Sequence, residues 1–207
     1  MKDDMVRMLR GSISDRVVEA MDRTPRELFV PEGIRHMAYE DHPLPIGEGQ
    51  TISAPHMVAI MCEVLDLEGG MKVLDVGTGS GYHAAVMADL VGPQGHVYSI
   101  ERVPELVVYA RRNLREAGVE NVTVVEGDGS LGLPQHAPYD RINVAATAPK
   151  VPQPLKEQLK VGGKLVVPVG TCYQELVLIT RTEEGFELEH HGGVVFVPLI
   201  GDHGFKI

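Results

Sequence analysis

Three acidic residues and a glycine-rich turn have a spacing that suits the binding of an adenosine ligand. Asp75 stands two residues before the first glycine of the run Gly77-Thr78-Gly79-Ser80-Gly81, Glu101 follows Gly77 by 24 positions, and Asp128 precedes Gly129. Each acid ends a short apolar run that we interpret as a β-strand, and the carboxyl ends of parallel strands meet at one edge of a sheet. There, one carboxylate can accept hydrogen bonds from both ribose hydroxyls and another from an adenine amino group.

Two hydroxyls upstream, in the stretch GEGQTISAPHM at 47–57, could contact a second ligand. Ser53 stands just before Ala54-Pro55, and this order is typical of a helix start, at which a serine caps free backbone N–H groups. A helix start also attracts anions, so Ser53 and Thr51 could instead hold a substrate carboxylate. The residues alone leave both interpretations open.

The elements that must position these residues follow from the hydrophobic pattern. The first 66 residues predict helices in SDRVVEAM, TPRELFV and APHMVAIMCEVLDL, with the stretch AYEDHPLPIGEGQTIS as a loop. From Met71 onward, five apolar runs (72–77, 96–101, 122–128, 140–147 and 163–170) alternate with helical segments. This alternation predicts an α/β, Rossmann-like, doubly wound and mostly parallel sheet. Two more β-rich runs complete seven strands and predict an antiparallel pair at one edge.

We expect a single domain over residues 1–207. Its first part, 1–66, supplies N-terminal helices and the substrate loop, and 67–207 form the cofactor-binding core and the C-terminal strands.

Composition narrows the classes of partner. The 19 Lys and Arg residues against 29 Asp and Glu give a formal net charge of −10, which weighs against nucleic acid as the main partner.

Cys62 and Cys172 show no metal-ligand spacing and are expected to be reduced, buried thiols. His190-His191 lacks further ligands in a recognisable pattern, so we expect no metal site. The sequence has no apolar run of about 20 residues and no signal-peptide core, which predicts a cytoplasmic protein without a membrane partner. We also expect a monomer.

The glycine turn with its preceding acid resembles that of class I S-adenosylmethionine-dependent methyltransferases. With the upstream loop added, the segments GEGQTISAPHM, VLDVGTGSGY, EGDGSLGLP, YDRINVAATAPKVP, LKVGGKLVVPVG and FVPL resemble the successive motifs of the protein-L-isoaspartate (D-aspartate) O-methyltransferases. The resemblance runs from about residue 12 to 200. The family commonly has an arginine before FVPL, whereas this chain has Val195, which puts one contact near the substrate in question.

The resemblance implies a protein repair enzyme. Such an enzyme transfers a methyl group from S-adenosylmethionine to the free carboxylate of L-isoaspartyl and D-aspartyl residues in damaged proteins and peptides. The products are S-adenosylhomocysteine and a methyl ester that collapses spontaneously to a succinimide. The resemblance implies that Ser53 is the catalytic residue and that the loop around it holds the isoaspartyl carboxylate. The expected substrate-binding residues are Thr51, Ile52, Ser53 and Val197.

The cofactor residues follow by position in the motifs. The glycine turn is expected to face the methionine part of S-adenosylmethionine, Glu101 the ribose, and Asp128 with the Gly129 amide the adenine. Asp75 belongs to the same group, although bracing the glycine turn is its more natural role. The expected cofactor-binding residues are Asp75, Gly77, Thr78, Gly79, Glu101, Asp128 and Gly129.

Methyl transfer to a carboxylate needs no strong base, because a carboxyl group with a pKa near 4 is already ionised at neutral pH. Positioning can supply about 7–11 kcal/mol of the barrier reduction, together with exclusion of water. A hydroxyl of Ser53 or Thr51 that donates to one carboxylate oxygen could align the other with the methyl group. The segment VVFVPLI could also pair with the main chain of a substrate peptide by strand addition, or it could be an ordinary edge strand, and the residues alone leave both interpretations open.

Three alternatives share parts of this pattern. A nicotinamide-dependent dehydrogenase would also use Glu101, but its fingerprint requires a glycine where this chain has Tyr82. A methyltransferase acting on small carboxylic acids or on nucleic acid is a second alternative, and the acidic net charge disfavours the latter. A non-catalytic scaffold that binds S-adenosylmethionine and transfers nothing is the third.

Overall fold

The fold is built around a seven-stranded sheet, seen in a computed structural model that describes residues 2–206. Residues 1 and 207 of the predicted domain lie outside the described part. The strands are β1 Leu44–Gly47, β2 Gln50–Ile52, β3 Lys72–Val76, β4 His96–Glu101, β5 Val122–Glu126, β6 Tyr139–Val144, β7 Leu159–Gly170, β8 Gln174–Arg181 and β9 Phe186–Val194. The α-helices are α1 Lys2–Leu9, α2 Asp15–Arg23, α3 Pro55–Leu65, α4 Tyr82–Val91, α5 Pro104–Glu116 and α6 Gln153–Glu157.

The order of the strands creates a site for a ligand at one edge of the sheet. The order is β5-β4-β3-β6-β7-β8-β9, with β3 to β7 parallel and β8 and β9 each antiparallel to the preceding strand. The chain winds outward from β3 to β5 and then returns to the other side of β3 at β6. Ligands of such sheets bind at the carboxyl ends of the strands where the winding reverses. The predicted α/β fold with its antiparallel edge pair is confirmed.

The stretch 38–53, predicted as a loop, contains a short hairpin instead. Strands β1 and β2 pair antiparallel as a separate two-stranded sheet. Three consecutive turn residues have left-handed backbone angles, with φ of 96° at Gly47, 52° at Glu48 and 67° at Gly49. Glycine tolerates such angles at two of the three positions, so the glycines that suggested a flexible loop build a tight turn.

A second difference concerns TPRELFV, which was predicted to be a helix that opens on Thr24. Only Arg26–Phe29 are helical, as one short 3-10 turn, and Thr24 ends α2 by donating its hydroxyl to the Ala20 carbonyl at 2.9 Å. The threonine therefore closes one helix and does not begin the next.

The N-terminal helices and the sheet share one hydrophobic core. Met5 of α1, Met21 of α2, Met61 of α3 and Met87 of α4 are all buried in the same cluster. Among residues 2–206, no helix combines the length and the apolarity needed to cross a membrane.

The two cysteines differ in their surroundings, and both are free thiols. Cys62 of α3 is buried, as predicted. The expectation of a buried thiol is wrong for Cys172, which is exposed. It lies in the turn between β7 and β8, where side chains point away from the core.

A buried polar chain crosses the three central strands. Asp75 of β3 is inaccessible to solvent, and it accepts hydrogen bonds from the Ser99 hydroxyl of β4 at 2.6 Å and the Asn143 amide of β6 at 2.8 Å. Thr78, in the glycine turn, hydrogen-bonds Ser99 at 2.6 Å. Burial raises the pKa of Asp75 to about 6, and the bonds from Ser99 and Asn143 only partly offset this rise.

The raised pKa predicts a specific pH dependence of stability. The folded protein binds the Asp75 proton more tightly than the unfolded chain does, so this carboxyl favours folding below pH 3.8, its ordinary pKa. That contribution is lost as the pH rises to about 6. Asp75→Asn removes the titration. The unfolding free energy of the variant relative to wild type should therefore rise between pH 4 and 7, by up to about 3 kcal/mol.

Urea denaturation of both proteins, followed by circular dichroism at several pH values, measures this difference. Other carboxyl groups titrate in both proteins and cancel in the comparison. Stability profiles that run parallel from pH 4 to pH 7 would contradict the assignment.

Candidate active site

A cavity opens at the carboxyl ends of β3, β4 and β6, where the winding of the sheet reverses. Its empty volume is about 940 Å³, including the open mouth, which is in the range of small-molecule sites. The walls come from the glycine turn, the loop 50–53, Glu101, Gly129 and the segment 197–200. Most of the residues singled out in the sequence therefore meet in one place.

The glycine turn forms one wall with bare main chain. The φ angles are 92° at Gly77, 53° at Gly79 and 92° at Gly81, all in the left-handed region that favours glycine. The backbone amides of Gly77 and Thr78 donate to the Ile100 carbonyl at 2.9 and 3.3 Å, which ties the turn to the end of β4. A ligand can therefore approach the peptide groups of the turn closely. Gly77, Thr78 and Gly79 all line the cavity, at the place predicted for the methionine part of the cofactor.

Glu101 lies at the end of β4 in a fixed position. It is 7% exposed, and its carboxylate accepts from the backbone N–H groups of Gly79 at 2.9 Å, Arg102 at 2.8 Å and Val103 at 3.0 Å. A carboxylate offers about four acceptor positions, so capacity for a further donor is left on the side of the cavity. This geometry suits the predicted contact with ribose hydroxyls.

Asp128 does not line the cavity, in contrast to the predicted contact of its carboxylate with adenine. One oxygen accepts from the Ser130 amide at 2.9 Å and from the Ser130 hydroxyl at 2.7 Å, and the other accepts from the Asp202 amide at 2.7 Å. Burial raises the pKa of Asp128, but these hydrogen bonds outweigh it and leave the pKa below its ordinary value. The carboxylate thus anchors the C-terminal segment.

Gly129, the neighbour of Asp128, does line the cavity. A Cβ atom added at Gly129 would lie 2.5 Å from Cγ1 of Val76, so only glycine lets the main chain approach the end of β3 this closely. An adenosine ligand therefore fits the main-chain cradle of Gly77, Gly79 and Gly129 beside Glu101.

Asp75 lies beneath the turn and does not reach the cavity. Its bonds to Ser99 and Asn143 brace the sheet below the turn, which agrees with bracing as its role and gives no contact with a cofactor.

Thr51, Ile52 and Ser53 all line the cavity opposite the glycine turn. The capping interpretation of Ser53 is wrong, because α3 begins at Pro55 with Ala54 at its N-cap and no side-chain capping bond. The Asp41 carboxylate instead accepts from the His56 amide at 3.0 Å in the first turn. Over residues 2–206, the Ser53 hydroxyl makes no hydrogen bond, which leaves it available to a ligand.

The segment after β9 closes the cavity. Val197 lines it, and the Val197 carbonyl accepts from the Thr147 amide at 2.8 Å. Val195, which stands where the family commonly has an arginine, is 93% exposed and does not line the cavity.

Two lining residues that the sequence analysis did not assign to the site follow the glycine turn directly. Tyr82 and His83 open α4, and both are buried. Burial raises the pKa of Tyr82 to about 12 and lowers the pKa of His83 to about 3. His83 is therefore neutral. It lies between the Asn143 amide, 3.2 Å from its Nδ1, and the Cys62 thiol, 3.4 Å from its Nε2. Their place at the start of the helix after the turn is the signal that could have identified both.

Comparison with known proteins agrees with this geometry. A family model described as protein-L-isoaspartate(D-aspartate) O-methyltransferase matches residues 2–204. A protein-L-isoaspartate O-methyltransferase of Methanothrix thermoacetophila is 63% identical over 205 residues, which cover 99% of this chain and 97% of that protein. The protein of the same name from Methanothermobacter thermautotrophicus is 59% identical and covers 96% and 94%.

Solved structures give the same result. A structure named protein-L-isoaspartate O-methyltransferase superposes with a TM-score of 0.90 at 33% identity, covering 99% of this chain and 67% of that chain. A Plasmodium falciparum structure with the same family name, in complex with S-adenosyl-L-homocysteine, superposes with a TM-score of 0.85 at 29% identity and covers 95% and 97%. The resemblance found in the sequence motifs is confirmed, and the chain belongs to the protein-L-isoaspartate(D-aspartate) O-methyltransferase family.

Proposed function

We propose that this protein transfers a methyl group from S-adenosylmethionine to the free carboxylate of L-isoaspartyl and D-aspartyl residues in damaged proteins and peptides. The observation that carries the proposal is the cavity itself, which is lined both by the glycine turn with Glu101 and by the loop of Ser53. Family membership indicates the reaction, and the two walls of the cavity support a binding surface for each reactant.

The cofactor side is formed by the glycine turn, Glu101 and Gly129. Bound there, S-adenosylmethionine supplies a methyl group activated by a sulfonium. The amides of the glycine turn and the carboxylate of Glu101 orient it, and buried Tyr82 and His83 exclude water behind it. We propose Gly77, Thr78, Gly79, Glu101 and Gly129 as its contacts, with Asp75 and Asp128 acting from outside the cavity.

The substrate side is formed by the loop 51–53 and Val197. The Ser53 hydroxyl donates to one oxygen of the isoaspartyl carboxylate and leaves the other oxygen as the nucleophile. No base is needed, since a carboxylate carries no proton at neutral pH. Ser53 is therefore an aligning residue, which contributes by orienting the carboxylate toward the methyl group.

The remaining properties are proposals from the sequence. The core shared by the N-terminal helices and the sheet supports one domain over 1–207, with 1–66 serving the substrate and 67–207 the cofactor. The net charge of −10 supports an enzyme that does not bind nucleic acid. We further propose a cytoplasmic monomer without a membrane partner.

The reaction can be tested with two synthetic peptides that differ only at one linkage, L-isoaspartyl in one and normal L-aspartyl in the other. We expect label from S-adenosylmethionine on the isoaspartyl peptide alone, released by base as an ester should be. Label on neither peptide, with cofactor binding intact, would remove the repair reaction and favour the scaffold alternative.

The ribose contact of Glu101 can be tested by Glu101→Gln, which removes the charge from the acceptor. The dissociation constant of S-adenosylmethionine, measured by titration calorimetry, should rise about 10- to 100-fold, as expected for the loss of a charged hydrogen bond. Glu126→Gln is the matched control, because Glu126 is the register partner of Glu101 on β5, is exposed and does not line the cavity. Equal binding by both variants would exclude the contact.

The aligning role of Ser53 predicts that Ser53→Ala lowers kcat about 10- to 100-fold and leaves the melting temperature within about a degree of wild type, since the hydroxyl bonds no described protein group. Thr171→Ala, an exposed hydroxyl in the turn before β8, serves as the control in the same assay. Full turnover with a lowered melting temperature would contradict an aligning role.

A further inference from the structure

Arg26 is buried behind the substrate loop. It is the largest fully buried side chain, with no exposed surface, and it lies in the short 3-10 turn Arg26–Phe29. Among residues 2–206, no Asp or Glu carboxylate lies within 4.0 Å of its guanidinium. Two acids in the surroundings of Arg26 are engaged elsewhere, Glu27 by the Tyr39 hydroxyl and Asp41 by His56.

The guanidinium is held by neutral groups only. Its Nε donates to the Ala38 carbonyl and its Nη2 to the Ser53 carbonyl, each at 2.7 Å. The guanidinium carbon lies 4.6 Å from the centre of the Tyr82 ring, and both Ser53 and Tyr82 line the cavity. Within the described chain, Nη1 has no hydrogen-bond partner, and the Tyr82 hydroxyl has none either.

A buried charge without an ion-pair partner is costly, and an anion bound close by would offset part of that cost. An arginine in proteins keeps its charge. The guanidinium is fully buried against Ser53 and Tyr82, which both line the cavity, so its field reaches the cavity with less screening than it would have in water. An anionic acceptor would bind in this cavity.

We propose that Arg26 is a positioning residue for a carboxylate acceptor. Through Nη2 it fixes the main chain of Ser53, and through its charge, which no ion pair within residues 2–206 neutralises, it draws the acceptor into the cavity as an anion. The inference rests on the proposed function, because it takes the isoaspartyl carboxylate as the acceptor.

Two variants separate the two parts of this role. Arg26→Met keeps the length and apolar packing of the side chain but removes the charge and the bond to Ser53. We expect KM for the isoaspartyl peptide to rise at least about tenfold, as for a lost charged interaction, and kcat to fall. Arg26→Lys keeps the charge without the forked geometry, so it should recover most of KM but little of kcat.

Arg141→Met is the matched control. Arg141 is also a buried arginine that donates to main-chain carbonyls, those of Leu65, Asp66 and Asp140, but it does not line or adjoin the cavity wall. A merely structural role would make Arg26→Met resemble Arg141→Met, with a lowered melting temperature and an unchanged KM. The dissociation constant of S-adenosylmethionine should stay within about twofold of wild type in both variants.

The outcomes distinguish the two proposals. Failure of the wild-type protein to methylate the isoaspartyl peptide would overturn the proposed function. Activity of the wild type, with the same KM for the peptide in wild type and Arg26→Met, would overturn the role of Arg26 alone. If Arg26→Met does not fold, the KM of Arg26→Lys decides, since a value tenfold or more above wild type contradicts a role of the charge.

Discussion

The cavity depends on one buried carboxylate that needs a donor from the strand on either side. Asp75 lies level with Ser99 on β4 and with Asn143 on β6, and its two oxygens bond these two residues. A slip of either strand by one residue would turn its donor to the other face of the sheet and leave the carboxylate unpaired. The register of the three central strands is therefore tied to this group. The register in turn decides where each strand ends, and the strand ends form the floor of the site.

Two further side chains hold irregular segments of the chain next to this floor. Arg26 holds the main chain of Ser53 from one side, and Asp128 holds the amide of Asp202 from the other. In both cases, a charged side chain binds backbone groups of a segment that is neither helix nor strand. The walls of the cavity are thus loops with fixed positions, which suits a reaction that relies on alignment.

The sequence predicted the parts of the site that follow from regular structure. The positions of the glycine turn and Glu101 could be predicted because parallel strands bring their carboxyl ends to one edge, whatever the loops do. The direction of the Asp128 carboxylate could not, because it depends on a segment more than 70 residues later in the chain. Arg26 gave no signal either, since an arginine in a polar stretch is normally exposed, and its burial results from packing against Tyr82. The same holds for the hairpin at 44–52, whose glycines are compatible with a loop and with a tight turn.

In the edge strand β9, the identity of the side chains and the length of the segment matter to different degrees for the site. Eight of its nine residues are exposed, so their side chains contribute little to the core and can drift. Three residues beyond its end, however, Val197 reaches the cavity, and on the way the Gln174 side chain bonds both the amide and the carbonyl of Phe196. One inserted or deleted residue would displace Val197 by about 3.3 Å along the chain. Natural variation should therefore exchange residues freely along β9, while gaps between Val194 and Val197 should be rare in descendants that keep the activity.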